Sequence, residues 1–227
     1  MEYDEVISLG SRCQTAYQIR RLTGKTQAQV FDWMIAPHRG VVKAIETNFS
    51  DFMQLENLKR GVSASDEFKY RHIEDASYGI LYQHEFLNSA SLEEDYQRIK
   101  SKYDFLIGRW NETMRSESKV LFIRQAVGGF HPAIDEPEIG EQEAQELVHA
   151  ISGAYPALDF RLLLLTPQAR TPLRTEKYDV LTMEQPNPWD WRGDLDVWGE
   201  WLPQALASAA LEEPRRQQPR HEPATQA

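Results

Sequence analysis

This chain of 227 residues has one cysteine and no excess of basic residues. It also has no long apolar run and no cysteine and histidine spacing typical of a metal site. A single cysteine, Cys13, cannot form an internal disulfide, which favours a reducing, cytosolic-type compartment. The net charge of -10 argues against binding to nucleic-acid phosphates, which needs a basic face. The longest aliphatic run, Leu162–Leu165, is far too short to cross a membrane, and Cys/His metal spacings are absent. We therefore expect a soluble, cytoplasmic protein that binds no nucleic acid, membrane, metal or cofactor.

The distribution of apolar residues predicts a single α/β domain over residues 1–211. Strands are predicted at 6–9, 80–86, 119–125, 160–166 and 178–183. Helices are predicted at 12–23, from Ser91 onwards, at 141–152 and after Asp194. This order indicates a central, mainly parallel sheet flanked by helices. The polar residues 56–77 are predicted to form a loop, and residues 212–227 a disordered tail.

Cys13 lies at the first strand-to-helix turn of the predicted sheet. We predict that the strand ends at Gly10, that Ser11 is the helix N-cap and that Gln14 completes a capping box. Free backbone N–H groups and the positive end of the helix dipole are then expected to lower the pKa of the thiol. Ligands of open α/β folds bind at this edge, so Gly10 and Ser11 are candidate ligand-binding residues. The alternative is that Cys13 is a small buried residue without a chemical role.

Two further residues are candidates for contacts with a ligand. If the thiolate attacks a carbonyl, the backbone N–H groups of Cys13 and Gln14 are placed to bind the oxyanion. The Gln14 side chain either assists them or closes the capping box. Arg124, at the end of a predicted strand, either binds a carboxylate or phosphate or forms a structural ion pair.

A thiol nucleophile usually needs a base, and the chain has six histidines. His84 alternates with Ile80, Tyr82 and Phe86, so we expect it to face apolar neighbours, either as a shielded base or as a core histidine. His131 follows two glycines in a predicted loop and is a second candidate. The other four histidines have no supporting pattern: His38, His72, His149 and His221.

A third group would orient the base, and three aspartates are candidates. Asp32 lies between two aromatic residues and either orients a histidine or ties down a turn. Asp190 lies in a predicted loop after a strand. Asp194 is expected to be the N-cap of the last helix.

Several segments together resemble an uncharacterised family described as papain-like cysteine peptidases. The segments are Ile7–Cys13 (ISLGSRC), Phe31–Trp33 (FDW), His84–Phe86 (HEF) and Val120–Arg124 (VLFIR). The resemblance implies that Cys13 is the nucleophile and His84 the base. The first turn is also similar to the Gly-Asn-Cys-Gln turn of capsule-polysaccharide acyltransferase-like enzymes, which implies acyl transfer.

These observations leave two functional hypotheses. In the first, the protein is a cysteine-dependent hydrolase or acyltransferase acting on a small-molecule, peptide or glycan substrate. In the second, it is a non-enzymatic module whose first strand–helix turn binds an anionic or sugar ligand, and Cys13 only packs. The reactivity of the Cys13 thiol distinguishes them.

Overall fold

The computed structural model describes residues 3–61, 69–126, 139–168, 171–184 and 190–207, which contain nine strands and five α-helices. The strands are β1 (Glu5–Ser8), β2 (Met34–Ile35), β3 (Leu58–Arg60), β4 (Tyr70–Asp75), β5 (Ile80–Leu87), β6 (Lys119–Gln125), β7 (Asp159–Thr166), β8 (Leu173–Arg174) and β9 (Tyr178–Thr182). The helices are α1 (Cys13–Thr23), α2 (His38–Glu46), α3 (Leu92–Met114), α4 (Glu141–Ala154) and α5 (Leu195–Ala207).

The central sheet has the strand order β1-β6-β7-β9-β8. The first four of these strands run parallel, and the short β8 pairs antiparallel with β9 at the edge. The leucines of β7, Leu162 to Leu165, are all buried. A continuous apolar run is expected for an inner parallel strand because helices cover both of its faces. The predicted single-domain α/β fold with a mainly parallel sheet is therefore confirmed.

Two hydrophobic cores lie on opposite faces of this sheet. On one face α1 and α5 pack against alternate strand residues, with Trp198 and Trp201 as the largest buried side chains. On the other face, residues of α2, α3, α4 and the second sheet form the larger core, which includes Trp110. Strand residues alternate between the two cores, as the pleat of a β-strand requires.

A second, four-stranded antiparallel sheet has the order β2-β5-β4-β3. Two of its strands, β3 and β4, fall within residues 56–77, so the prediction of a loop there is wrong for those strands. Lys59 and Arg60 of the edge strand β3 are exposed, and β4 is mostly half-buried. Polar edge strands lack the apolar alternation by which a strand is recognised in a sequence.

The long helix and the last helix begin where the sequence predicts. Ser91 and Glu94 form the predicted capping box at the start of α3. The Asp194 carboxylate accepts hydrogen bonds from the backbone N–H groups of Asp196 and Val197, which confirms it as the N-cap of α5. Both the predicted tail and His131 lie outside the described residues.

Candidate functional site

The turn between β1 and α1 has an unusual backbone conformation. Gly10 and Ser11 have positive φ angles of 75° and 71°. A Cβ atom at Gly10 would lie 2.9 Å from the Cβ of Ala36, so the close approach of the two segments requires glycine. A positive φ in a non-glycine residue such as Ser11 costs energy, and its hydroxyl stabilises the turn by donating to the carbonyl of Gln125. The hydrogen bond from Ser11 to Gln125 thus stabilises a turn whose backbone conformation is strained.

This conformation changes how α1 begins. The N-cap is Arg12 rather than Ser11, and no side chain caps the helix. The Gln14 amide donates to the carbonyl of Asp190 at 3.1 Å instead of closing a capping box. The prediction of a Ser11–Gln14 capping box is therefore wrong, because both side chains bind distant parts of the chain. Cys13 becomes the first residue of the helix.

The Cys13 side chain is only partly exposed. Burial raises the pKa of the Cys13 thiol, and the charge of Asp32 raises it further. The backbone N–H of Cys13 and the charge of Arg12 act in the opposite direction but do not outweigh burial. The expected lowering of the pKa is therefore wrong, and the resting thiol is protonated at neutral pH.

Asp32 is buried one residue after Phe31, which approaches Gly10, and its carboxylate connects this segment to Arg20 of α1. Its Oδ2 accepts hydrogen bonds from the backbone N–H of Gln29 at 2.8 Å and from the guanidinium of Arg20 at 2.9 Å. Burial raises the pKa of the Asp32 carboxyl despite these bonds. Within the described residues neither oxygen of Asp32 bonds to a histidine. Through these contacts Asp32 stabilises the turn from Gln29 to Asp32, which is the structural role considered for it from the sequence.

His84 lies on β5 and is exposed, so the prediction that it faces apolar neighbours is wrong. The cause is a register shift in the pairing of β5 with β4, which interrupts the alternation between Tyr82 and Phe86. The His84 ring packs edge-on against Tyr70, with centroids 6.1 Å apart. Tyr82 pairs with Met34 of β2, so His84 lies two residues beyond that pair. Because β2 and β5 are antiparallel, this displacement is in the direction of Asp32.

Arg124 is completely buried and joins the two sheets at the base of the turn. One terminal nitrogen donates to the carbonyl of Leu9 at 2.6 Å, and the other donates to the carbonyl of Ala36 at 2.9 Å. A guanidinium suits this task because its two Nη groups point in fixed, divergent directions. Arg124 therefore fixes Leu9, the residue before Gly10, relative to Ala36, which packs against Gly10.

A histidine–carboxylate pair that no sequence pattern predicted lies close to the same turn. His38, the first residue of α2, is buried, and its Nε2 lies 2.8 Å from Oε2 of Glu146 on α4. His38 is two residues beyond Ala36, whose Cβ packs against Gly10. A carboxylate that bonds to one ring nitrogen fixes the tautomer and orientation of an imidazole. The two residues are 108 positions apart in the chain, so no local pattern could have found the pair.

Tyr103 of α3 is a second residue that the sequence did not single out. It is buried, and its hydroxyl donates to Oε1 of Glu85 at 3.2 Å. Burial raises the pKa of the Tyr103 phenol, and the nearby carboxylates of Glu85 and Asp32 raise it further. The phenol therefore stays protonated and lies within electrostatic range of both the thiol and Asp32.

Two other features are absent from the described part of the chain. Among these residues no group of three or more His, Cys, Asp or Glu side chains is arranged to hold a metal ion. None of the described helices is both long enough and apolar enough to span a bilayer.

The fold and the turn define an α/β protein with a cysteine at the first residue of its first helix, at the carboxyl edge of a parallel sheet. Residues 4–169 match the family described as "Putative papain-like cysteine peptidase", and the chain belongs to that family. It is also similar to Uncharacterized protein R408 of Acanthamoeba polyphaga mimivirus, at 29% identity. The aligned region covers 52% of this chain and 60% of the length of that relative. No solved structure matches the chain.

Proposed function

We propose that the protein is a cysteine-dependent acyl-transferring enzyme, a hydrolase or an acyltransferase, with Cys13 as nucleophile and His84 as proton acceptor. The observation that carries the proposal is the strained turn of Gly10 and Ser11, which places Cys13 at the first residue of α1. Backbone strain of this kind concentrates at functional sites, and a strained strand-to-helix turn that presents a nucleophile is a recurrent solution in α/β enzymes. Membership of a family described as cysteine peptidases supports chemistry at a cysteine, and Cys13 is the one cysteine in the sequence.

A buried, protonated thiol makes a general base necessary. In the proposed reaction the base removes the thiol proton as sulfur attacks an acyl carbonyl, and the backbone N–H groups of Cys13 and Gln14 stabilise the oxyanion. The leaving group then takes the proton from the imidazolium, which leaves a thioester on Cys13. Attack by water completes hydrolysis, whereas attack by a hydroxyl or amine completes acyl transfer. The substrate would be a small-molecule, peptide or glycan ester or amide.

His84 and His38 are tested as bases by a matched pair of variants. His84→Ala is expected to slow iodoacetamide alkylation of Cys13 near neutral pH, because the thiol loses its proton acceptor. His38→Ala serves as the control and is expected to have a smaller effect. Circular dichroism establishes that both variants are folded. Unchanged alkylation in folded His84→Ala, together with slow alkylation in His38→Ala, would reassign the base to His38.

The chemistry itself is tested with an activated ester such as p-nitrophenyl acetate. The wild-type protein is expected to release nitrophenol and to carry an acetyl group on Cys13 in the mass spectrum. Cys13→Ala should do neither. Hydroxylamine, which cleaves thioesters, should remove the group. Release of nitrophenol at the same rate from Cys13→Ala would refute the role of the thiol.

The second candidate function is a binding module in which Cys13 only packs. The burial that raises the pKa of the Cys13 thiol favours it, because structural cysteines are buried and inert. An intact protein that neither alkylates near neutral pH nor forms an acyl-thioester would support this alternative. For either function we propose a reducing, cytosolic-type compartment, since the lone Cys13 has no partner for an internal disulfide.

A further inference from the structure

Trp191 is an exposed aromatic residue that is held in a fixed position beside α1. The residue is 55% exposed and lies in a turn just before α5. On one side of Trp191, the buried Gln14 amide donates to the carbonyl of Asp190 at 3.1 Å. On the other side, the buried Gln18 amide donates to the carbonyl of Arg192. Because the backbone is fixed on both sides of the indole, little of the chain has to be ordered when a ligand stacks on this ring.

Tyr17 connects Trp191 to the thiol of Cys13. The rings of Tyr17 and Trp191 have centroids 5.1 Å apart and planes at 65°, so the two rings form a corner. Tyr17 follows Cys13 by four residues in α1, and residues at this spacing lie on one face of a helix with Cβ atoms about 5–6 Å apart. Helical side chains lean towards the helix N-terminus, which here is the direction of Cys13. All three residues are exposed at least in part, so one ligand can contact the thiol and both rings.

The residues on either side of Trp191 form an exposed ion pair. The Arg192 guanidinium donates to both oxygens of the Asp190 carboxylate, at 3.0 Å through Nε and at 2.9 Å through Nη2. Hydrogen bonding to Arg192 lowers the pKa of the Asp190 carboxyl, which is therefore ionised at neutral pH. A guanidinium has five N–H groups, and among the described residues this one bonds to Asp190 alone, so Nη1 is available to a ligand. The pair thus presents N–H donors and carboxylate acceptors side by side, with no net charge.

These groups together select a neutral ring that carries hydroxyl groups. A hydroxyl both donates and accepts, so two neighbouring hydroxyls match a guanidinium N–H and a carboxylate oxygen. An anionic ligand would lie against Asp190, and an ammonium group would lie against Arg192. An apolar ring over the pair would take two charges out of water without replacing their hydrogen bonds to water. The weakly positive C–H groups on the face of a sugar ring suit the negative face of an indole.

We propose that Trp191 and Tyr17 bind a sugar ring of the substrate and that Cys13 takes an acyl group from a hydroxyl of this sugar. Other hydroxyls of the ring bond to Asp190 and Arg192. This inference rests on the proposed function for the chemical step, and it names the substrate class as an O-acylated glycan. The sulfur attacks the ester carbonyl, the bond from the carbonyl carbon to the sugar oxygen breaks, and the sugar oxygen takes the proton that the base removed from the thiol. The acyl group stays on Cys13 as a thioester until water or another hydroxyl attacks it.

The binding step is tested on the full chain with the methyl β-glycosides of glucose, galactose and N-acetylglucosamine. Saturation transfer from the protein to the sugar is measured by NMR, and at least one glycoside is expected to bind with a Kd in the millimolar range. Trp191→Ala should weaken this binding about tenfold or more, because the sugar loses the ring on which it stacks. Phe105→Ala is the matched control: it removes another exposed aromatic residue, 65% exposed on α3, and should bind as the wild type does.

A second variant and a second probe keep this test decisive. Arg192→Met leaves the indole in place and removes the partner of Asp190, so it should also weaken binding about tenfold. Absence of saturable binding in the wild type, or unchanged binding in folded Trp191→Ala or Arg192→Met, would overturn the proposal. Benzyl alcohol probes for an apolar ring, and binding of this probe as tight as that of the best glycoside would overturn the choice of a sugar.

The chemical step is tested with the mono-O-acetyl derivatives of the glycoside that binds. Cys13 is expected to gain an acetyl group from one of them in the mass spectrum. Trp191→Ala should lower kcat/KM for that derivative about tenfold relative to kcat/KM for p-nitrophenyl acetate. Cys13→Ser should bind the glycoside as the wild type does, so a failure of the proposed catalysis is distinguishable from a failure of sugar binding. A wild-type protein that binds the glycoside but gains the acetyl group only from p-nitrophenyl acetate would overturn the assignment of the substrate and leave the proposed function intact.

Discussion

Substitution of Gly10 by alanine tests the architecture of the turn before Cys13. Two terms contribute to the expected loss of stability. The positive φ of 75° costs a residue with a Cβ about 1–2 kcal/mol. The new Cβ would also lie 2.9 Å from the Cβ of Ala36, and crowding of a packed interior costs about 1–3 kcal/mol. Together these terms predict a decrease of about 2–5 kcal/mol in the free energy of unfolding.

Gly24→Ala is a matched control for this experiment. Gly24 has a φ of 71°, but nothing lies within 4 Å of the Cβ that alanine would add. Gly24→Ala should therefore lose only the stability that a positive φ costs, about 1–2 kcal/mol. Urea denaturation measures both variants, and each kcal/mol corresponds to about 2–4 °C in the melting temperature of a domain of this size. If Gly10→Ala is no less stable than Gly24→Ala, then Ala36 does not crowd the turn and the reasoning fails.

Three further predictions concern the thiol, a buried ion pair and the contact between α1 and the segment before α5. The alkylation rate of Cys13 in the folded protein should have a midpoint above that of a free thiol, since burial raises the pKa of the thiol. Arg161→Met should destabilise the protein by about 3–5 kcal/mol in urea denaturation, because the buried carboxylate of Asp179 loses a two-pronged partner. Gly193→Ala should lower the melting temperature, because its Cβ would lie 2.7 Å from the Gln14 amide and displace it from the Asp190 carbonyl.

Each of these predictions has an outcome that contradicts it. A Cys13 midpoint below the free-thiol value would show that the helix terminus dominates over burial. The exposed pair of Lys100 and Asp104 is the control for Arg161, and Lys100→Met should cost less than about 1 kcal/mol. Equal effects of Lys100→Met and Arg161→Met would refute the argument from burial. An unchanged melting temperature of Gly193→Ala would mean that Gln14 moves aside without cost.

The sequence predicted the elements whose pattern is local. The helix α3 has both a capping box and apolar residues at helical spacing, and the inner strand β7 has an unbroken apolar run. Of the second sheet, the strand β5 was predicted, whereas β3 and β4 were missed because they lie near its edge and carry polar residues. The strand β4 pairs with β5 and β3 pairs with β4, and a local sequence window does not contain this pairing information.

The candidate site was predicted in part. The errors share one physical cause, which is that they depend on contacts between separate segments of the chain. The position of Cys13 at the start of α1 followed from the strand and helix patterns. The hydrogen-bond partners of the Ser11 and Gln14 side chains did not follow from these patterns, because each side chain bonds to a backbone carbonyl more than 100 residues away. The exposure of His84 depends on a register shift between two strands, and an alternating pattern cannot reveal such a shift.

The burial of Cys13 also has a consequence for damage by oxidants. Peroxides oxidise the thiolate of cysteine, first to sulfenic acid and then irreversibly to sulfinic acid. A thiol that is partly shielded and has a raised pKa contains little thiolate at neutral pH, so this oxidation is slow. Under the proposed mechanism, a cysteine held in this form reacts slowly with peroxides and becomes nucleophilic only when a base removes its proton.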